Sequence, residues 1–564
     1  MKKIPVIIIL AFLIVYSSSS TGQFTHADTL RCTYNQYRNW WDVLKYDLHV
    51  KFNIEDSSIS GYNVIYYRAL QKRQTIQIDL QQPLVLDSVF LVAYIPLRYD
   101  KYEPGKIATP KQRLTSVRKD GNAYLLDLPP NILNNSTNYL IVYYHGKPVV
   151  AAKPPWDGGV MWKKDNNNNP WVSVACEGLG ASVWYPCKDH LSDEPDSAEL
   201  HITCPDTLVC VGNGRFRGKI SNNDGTATYH WAVTSPINSY NIIPYIGKYE
   251  NFSEVYKGEN GDLDMSYWVL DYNIERAKKQ FTDVARMMKA FEYWLGPYPF
   301  YEDGYKLVDA PHLGMEHQSA IAYGNGYQKG YLGKDLSGSG WGLKWDYIIV
   351  HESGHEWFGN NISVKDIADM WVHESFTSYS EVLFTEYHYG KGAATAYIAG
   401  VRNSIDNKSP IIGSYNVNDE PASRSADMYY KGSNMIHTIR QIINDNEKFR
   451  KTLRGLNKTF YHKTVTTKQV ESYISTQAGI DFSKVFDQYL RTTDIPVLEY
   501  KIDKGNLYYR WTNCIEGFNM PLKAMLSKDR YDFIYPSGEF KQVKTLLPEL
   551  KVDENFYIKT KNVT

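Results

Sequence analysis

From about Tyr46 to Tyr249, apolar and polar residues alternate with a period of two. Leu48, Val50, Phe52 and Ile54 follow this rhythm, as do Ile76, Ile78 and Leu80, and Tyr139–Tyr144 is a short apolar and aromatic run. Successive side chains of a strand point to opposite faces. Short alternating segments separated by Gly, Pro and Asn signals therefore predict an antiparallel β domain. The Asn166–Asn169 run after Asp165 reads as an unstructured surface insertion. Near Asp271 the period lengthens. Ala277, Phe281, Val284, Met288, Phe291 and Leu295 recur every three or four residues, with Asn273 as the expected N-cap and Gly296-Pro297 as the stop. The chain then reads as mostly helical to about Leu490, with Gly324–Gly342 as a loop. After Ile495-Pro496 the period returns to two. Gly505-Asn506 marks a hairpin and Leu507–Trp511 the next strand of a small β-sandwich-like domain. The expected architecture is α+β and multidomain: a β domain over 23–250, a mostly helical domain over 251–494 and a β domain over 495–564.

Composition narrows the function classes. Lys+Arg and Asp+Glu are both 62, so the formal net charge is zero. That gives no electrostatic footprint for nucleic acid or an anionic membrane surface. The 46 tyrosines are a bias toward β-rich surfaces and carbohydrate or peptide contact, and identify nothing alone. Lys2 and Lys3 precede an apolar run from Ile4 to Tyr16 and a small-residue zone ending at Gly22. This matches a cleavable secretory signal peptide over residues 1–22, because the run falls short of the ~20 residues that span a bilayer. The expected location is secreted or periplasmic, with no stable membrane insertion after cleavage and membrane association only if the signal stays uncleaved. Export makes disulfides feasible among the six cysteines, and Cys204 and Cys210 are spaced for a local pair.

One stretch carries chemistry. Trp345–Glu374 contains His351-Glu352-x-x-His355 and, after eighteen intervening residues, Glu374. Residues four apart on a helix share a face. His351 and His355 can thus aim their imidazoles at one ion, about 2.0–2.1 Å from each nitrogen. Glu352 sits beside them, where a base acting on water must be. Catalytic zinc takes three protein ligands and leaves one position open. Glu374 becomes the third ligand if a turn at Gly359-Asn360-Asn361 ends the first helix and a second begins near Asp369. Asp369 itself reads equally as a carboxylate orienting a ligand histidine and as a helix cap.

Four segments, in order, resemble the aminopeptidase N family of zinc metallopeptidases, of the gluzincin type. They are Cys176-Glu177 leading to Pro186-Cys187; Leu313-Gly314-Met315-Glu316-His317, similar to the family's G-x-M-E-N; the His351/His355/Glu374 constellation; and Tyr429-Tyr430-Lys431-Gly432, similar to Y-x-K-G. The resemblance implies a thermolysin-like catalytic domain and one Zn2+ held by His351, His355 and Glu374. It implies Glu352 as general base, Tyr429 as hydroxyl donor to the oxyanion, and Gly314, Met315, Glu316 and Glu177 as substrate-binding residues. Glu316 and Glu177 take the free α-amino group of a peptide. The chain departs from the pattern at Leu313 and His317, which implies an altered S1 side, and at His373 and Ser375, which implies an effect on specificity more than on reaction. No counterpart of the family's large helical C-terminal module follows the β domain, which implies a more open cleft. Readings from other classes are a zinc endopeptidase, a non-catalytic peptide-binding protein with a relict site, and an epoxide hydrolase, the last with no positive feature.

Overall fold

The structure is a computed structural model and describes residues 24–92, 111–130, 132, 134–419 and 425–563. The leader read at residues 1–22 lies outside the described residues. The N-terminal region is built on an eight-stranded sheet. Its central strand, Trp41–Asn53, pairs antiparallel with Ser58–Ala69 on one side and parallel with Ser197–Pro205 on the other. That one parallel pair departs from the all-antiparallel expectation. It arises because the chain returns to the first strand only after a long excursion, which no local pattern reveals.

The alternation settles which face is buried. Tyr46, Leu48, Val50 and Phe52 point into the N-terminal core, together with Leu200, Ile202 and Trp231 from neighbouring strands. Asp47, His49 and Lys51 point the other way. A second, four-stranded sheet includes Gly159–Lys164 and Pro170–Ala175. These two strands are joined through Asn166–Asn169. Instead of an unstructured insertion, this is a closed turn: Asp165 Oδ1 accepts the backbone N–H groups of Asn167 and Asn169 at 2.8 and 2.9 Å. An Asp that holds the N–H groups ahead of it is a turn-former by chemistry.

The next sheet positions the site. Five strands, Tyr249–Gly258, Gly261–Leu270, Tyr305–Asp309, Ile321–Tyr323 and Gly314–Met315, form it in that spatial order. It lies inside the region read as mostly helical. Its later strands are short and fully buried, so no alternation marks them. Leu270, Val308, Met315 and Ala322 pack into the N-terminal core, whereas Leu263, Leu307 and Ile321 pack into the helical one. The sheet thus separates the two cores.

The helix expected from Asn273 to Gly296 is two helices, Ile274–Gln280 and Thr282–Leu295, broken at Phe281. Asn273 precedes the first but does not cap it; its Nδ2 donates to Asp309 instead, at 2.9 Å. The core helices are Tyr347–Gly354, Trp371–Tyr389 and Asp427–Ile443. The C-terminal region is a four-stranded and a three-stranded sheet, a sandwich-like pair. Its turn falls at Lys504-Gly505, both with positive φ (50° and 74°), one residue earlier than Gly505-Asn506. Leu498, Trp511 and Leu522 join the same apolar core as Phe486, Tyr489 and Leu490 of the helical region. All six cysteines are free thiols, so the local pairing of Cys204 with Cys210 does not form.

Candidate active site

The His351 helix starts at Asp346, whose Oδ1 accepts the N–H of Ile349 at 3.2 Å. Gln280, Tyr323 and Asn325 also donate to this buried carboxylate, at 2.6, 2.8 and 2.9 Å. Burial pushes its pKa up to about 6 despite them. The helix ends at Gly354, five residues before the expected stop at Gly359, and His355 is its C-cap with helical φ and ψ of −64° and −21°. The four-residue offset therefore still puts both imidazoles on one side. A Cβ at Gly354 would stand 3.1 Å from Thr377 Cγ2, so glycine permits close approach to the Trp371–Tyr389 helix.

Glu374 lies in the first turn of that second helix. Its Oε2 is 3.5 Å from Nε2 of His351 and 3.5 Å from Nε2 of His355, and it makes no hydrogen bond. Donor atoms bound tetrahedrally at 2.0–2.1 Å lie about 3.3–3.4 Å apart. The three atoms therefore already have the spacing of ligands around one small ion. Two imidazole nitrogens and a carboxylate are the donor set that suits zinc. Burial drives Glu374 upward in pKa, but the two imidazoles more than reverse it and hold the carboxyl below its usual range.

Both histidines are oriented from behind. His351 Nδ1 meets Glu381 Oε1 at 2.7 Å, and His355 Nδ1 meets the Phe358 carbonyl at 3.0 Å and Thr377 Oγ1 at 3.2 Å. Such partners fix the ring so that Nε2 faces inward. Glu381 is absent from the sequence reading, although a signal existed: it lies seven residues after Glu374, two turns on along the same face. Asp369, weighed for this role, does neither job. It accepts the hydroxyls of Thr467 and Tyr415 at 2.5 and 2.7 Å, tying distant segments together.

Glu352 is buried beside the ligands. Burial raises its pKa to about 7, against the lowering pull of His351 and His355. A Cβ on Gly314 would be 2.5 Å from Glu352 Oε1 and 3.0 Å from two atoms of Ile348. Only glycine lets the Gly314–Met315 strand lie this close to the carboxylate. Met315 itself points into the N-terminal core. Next comes Glu316, whose carboxylate lies within 4.8 Å of donor atoms of both Glu352 and His355. Tyr240 donates its hydroxyl to Glu316 Oε1 at 3.0 Å, and Asn360 Nδ2 donates to the Glu316 carbonyl at 2.8 Å. Burial raises the Glu316 pKa. Among the described residues, no Lys or Arg pairs with it. Tyr240 and Asn360 come from distant segments and carry no motif, so the sequence offered no signal for either.

Glu177 follows the Pro170–Ala175 strand and lines a groove shared with Tyr240, Met370 and Met428. Arg31 holds its loop by donating to the carbonyls of Glu177 and Gly178. Tyr429 lies in the first turn of the Asp427–Ile443 helix, its ring 6.1 Å from that of His351. Burial, then the carboxylates of Glu374, Glu177, Glu316 and Glu352, push its phenol pKa far up, so the hydroxyl keeps its proton. Eight of the nine candidate residues thus come together from four segments of the chain, while the Met315 side chain turns away into the N-terminal core. The departures at His373 and Ser375 are structural here. His373 Nε2 accepts the Val364 N–H at 3.1 Å. Ser375 Oγ donates to the Met428 carbonyl at 2.6 Å, and a Cβ at Gly432 would collide with Ser375 Oγ at 1.8 Å. Gly432 thereby lets the Tyr429 helix seat against the Glu374 helix. His317 is fully buried and bonded to the Tyr245 hydroxyl.

Residues 282–489 match the peptidase family M1 domain. Over this segment the chain is an M1 peptidase domain of the aminopeptidase N-type gluzincin kind. It is 22% identical over 458 residues to leucine aminopeptidase 2 of Vanderwaltozyma polyspora, covering 78% of this chain and 63% of that protein. It is 20% identical over 480 residues to probable aminopeptidase 2 of Sulfurisphaera tokodaii, covering 82% and 55%. The chain therefore spans less than two thirds of the length of these relatives. An M1 zinc metallopeptidase of Deinococcus radiodurans, solved as a point mutant with a Tyr-Ser-Ala substrate, superposes with a TM-score of 0.67 at 20% identity. That match covers 83% of this chain and 98% of the other, and shows a shared fold.

Proposed function

We propose that this M1 peptidase is a zinc-dependent aminopeptidase that hydrolyses the N-terminal bond of peptides. Zinc held by His351, His355 and Glu374 supplies the acidity that makes water nucleophilic near neutral pH and polarises the scissile carbonyl. Glu352 takes the proton from the attacking water and delivers it to the leaving amine. A carboxylate with a pKa near 7 suits both transfers. Tyr429 donates its hydroxyl to the oxyanion, and its high pKa keeps that proton available. Peptides with a free N-terminal amine are the expected substrates.

One observation carries the choice of the first bond. Glu316 is a buried carboxylate within 4.8 Å of donor atoms of Glu352 and His355, with no Lys or Arg partner among the described residues. A buried carboxylate is costly unless paired. In an amino acid the amine nitrogen and the carbonyl carbon are two bonds, about 2.5 Å, apart. An ammonium group on Glu316, with Glu177 alongside, therefore leaves room for one residue before the reacting carbonyl. The test compares aminoacyl chromogenic amides with their N-acetylated forms. Acetylation is expected to abolish turnover; equal rates would make the protein an endopeptidase.

Export through the residue 1–22 leader is also part of this proposal. Among the described residues no helix is long and apolar enough to cross a membrane. A mature N-terminus near Gln23 in an extracellular or periplasmic fraction is the expected result. An intact Met1 in the cytosol would contradict it.

A further inference from the structure

Glu316 can select a free amine only if its carboxylate is held in one place, and a glutamate side chain has many rotamers to lose. The groups that hold it come from a short turn in the N-terminal region. Ser239–Asn241 is a 3-10 turn between the strands Thr226–Val233 and Tyr245–Gly247. Asn238 starts it, its side-chain oxygen accepting the Tyr240 N–H at 3.3 Å. The backbone of the turn is fixed from the core below. The Tyr185 hydroxyl donates to the Ser239 carbonyl at 2.8 Å, and the Cys176 thiol donates to the Tyr240 carbonyl at 3.4 Å. Cys176 immediately precedes Glu177, so the turn is also bonded to the segment that carries the second glutamate.

Successive residues of the turn reach Glu316 by two routes. Tyr240 donates its hydroxyl to Glu316 Oε1 at 3.0 Å. Asn241 Nδ2 donates to Asn360 Oδ1 at 2.7 Å, and Asn360 Nδ2 donates to the Glu316 carbonyl at 2.8 Å. Asn360 also gives its backbone N–H to the His355 carbonyl at 3.0 Å, which ties the Glu316 backbone to the end of the ligand helix. Tyr240, Asn241 and Asn360 are all buried, so bulk water does not compete for these bonds. A neutral donor suits this position. Tyr240 fixes one carboxylate oxygen without cancelling the charge, whereas a Lys or Arg there would stand in for the substrate's ammonium. Burial, then the Glu316 and Glu177 carboxylates, push the Tyr240 phenol pKa well up, so the hydroxyl keeps its proton.

We propose that Tyr240 is a positioning residue that sets free-amine selectivity: its hydroxyl aims the Glu316 carboxylate, while Asn241, through Asn360, holds the Glu316 backbone. Oε1 is taken by the phenol, and Oε2 is left to receive the substrate's ammonium. The turn thus makes the N-terminal region part of the specificity apparatus of the catalytic cleft. This inference rests on the reading of Glu316 as the amine anchor.

The test compares two inhibitors that differ only in the amine, leucine hydroxamate and its des-amino analogue 4-methylpentanohydroxamate, through the ratio of their Ki values. The wild type is expected to bind the amine-bearing inhibitor far more tightly. Tyr240→Phe keeps the ring and removes the hydroxyl. It is expected to cut the ratio about tenfold or more, the range for a hydrogen bond to a charged group, with the Ki of the analogue and the zinc content unchanged. With leucine p-nitroanilide the loss is expected in KM rather than kcat. In the double variant Tyr240→Phe/Glu316→Ala the ratio is expected to equal that of Glu316→Ala alone, because a positioning residue then has nothing to position. Asn241→Ala is expected to lower the ratio by a smaller factor, and it decides alone if Tyr240→Phe fails to fold. A ratio unchanged in Tyr240→Phe, an equal loss for both inhibitors, or a double variant worse than Glu316→Ala overturns the proposal and leaves the aminopeptidase reading standing. A wild-type ratio near one overturns both.

Discussion

Two His/carboxylate groups, the cleft triad and Asp47, His49 and His201 on the outer face of the eight-stranded sheet, have similar donors and different surroundings. In the cleft, His351, His355 and Glu374 have side chains 6%, 2% and 5% exposed. Each histidine is braced from behind, by Glu381 or by the Phe358 carbonyl and Thr377. On the sheet face, His49 and His201 are 28% and 13% exposed and are held by stacking. Charges interact more strongly where water is excluded. The larger difference is in neighbours. Glu352 and Glu316 lie within 4.8 Å of the His355 donor, and Tyr429 stands over His351. A cluster of histidines and carboxylates is therefore not an active site. The base, the amine anchor and the hydroxyl donor make it one.

The strongest way to break this distinction is to remove the base. Glu352→Gln is expected to keep its zinc and lose about 10³-fold or more in kcat, at the upper end for general-base catalysis. Elemental analysis and steady-state rates check both halves, and retained turnover would leave the cleft no different from the sheet face. Tyr429→Phe is expected to lower kcat by about 10²–10³-fold, as for other oxyanion donors, with little change in KM. Glu381→Ala tests the bracing. Metal affinity is expected to fall about 10–100-fold, measured by competition with a chelator. The smallest effect is on pH. Burial raises the Glu352 pKa from its usual value to about 7, and catalysis needs the ionised form. kcat/KM is therefore expected to fall tenfold per unit as pH drops below this limb. A bound cation favours the carboxylate and shifts the limb downward. A profile flat from pH 8 to pH 5 would remove Glu352 as the titrating base.

The cleft was legible in the sequence where its geometry is local. His351 and His355 share a helix face through spacing alone, and His355 keeps helical dihedrals even though the helix ends at Gly354. Glu374 was legible because its helix starts at Trp371, close to the expected start. Glu316 and Glu177 were reached through resemblance, since no periodicity singles out one glutamate. What fixes them was out of reach: Tyr240 and Asn360 arrive from other segments, and fold alone brings them to Glu316. The five-stranded sheet was missed because its later strands are short and buried on both faces. The helix break at Phe281 was missed because Phe281 keeps the apolar rhythm while leaving the helix. The outer histidines illustrate the converse. Asp47-Leu48-His49 and Glu199-Leu200-His201 are visible in the chain, but only the parallel pairing of their strands makes them a pair.

The claim that Glu316 sets the position of cleavage is tested most directly by a ratio. It is kcat/KM for a free-amine dipeptide amide over that for its N-acetylated form, in the wild type and in Glu316→Ala. Losing the partner of a buried charge costs about 2–5 kcal/mol. The ratio is therefore expected to be large in the wild type and to collapse by thirtyfold or more in the variant, with zinc content unchanged. A ratio that is the same in both proteins would contradict the assignment of Glu316 as the amine anchor.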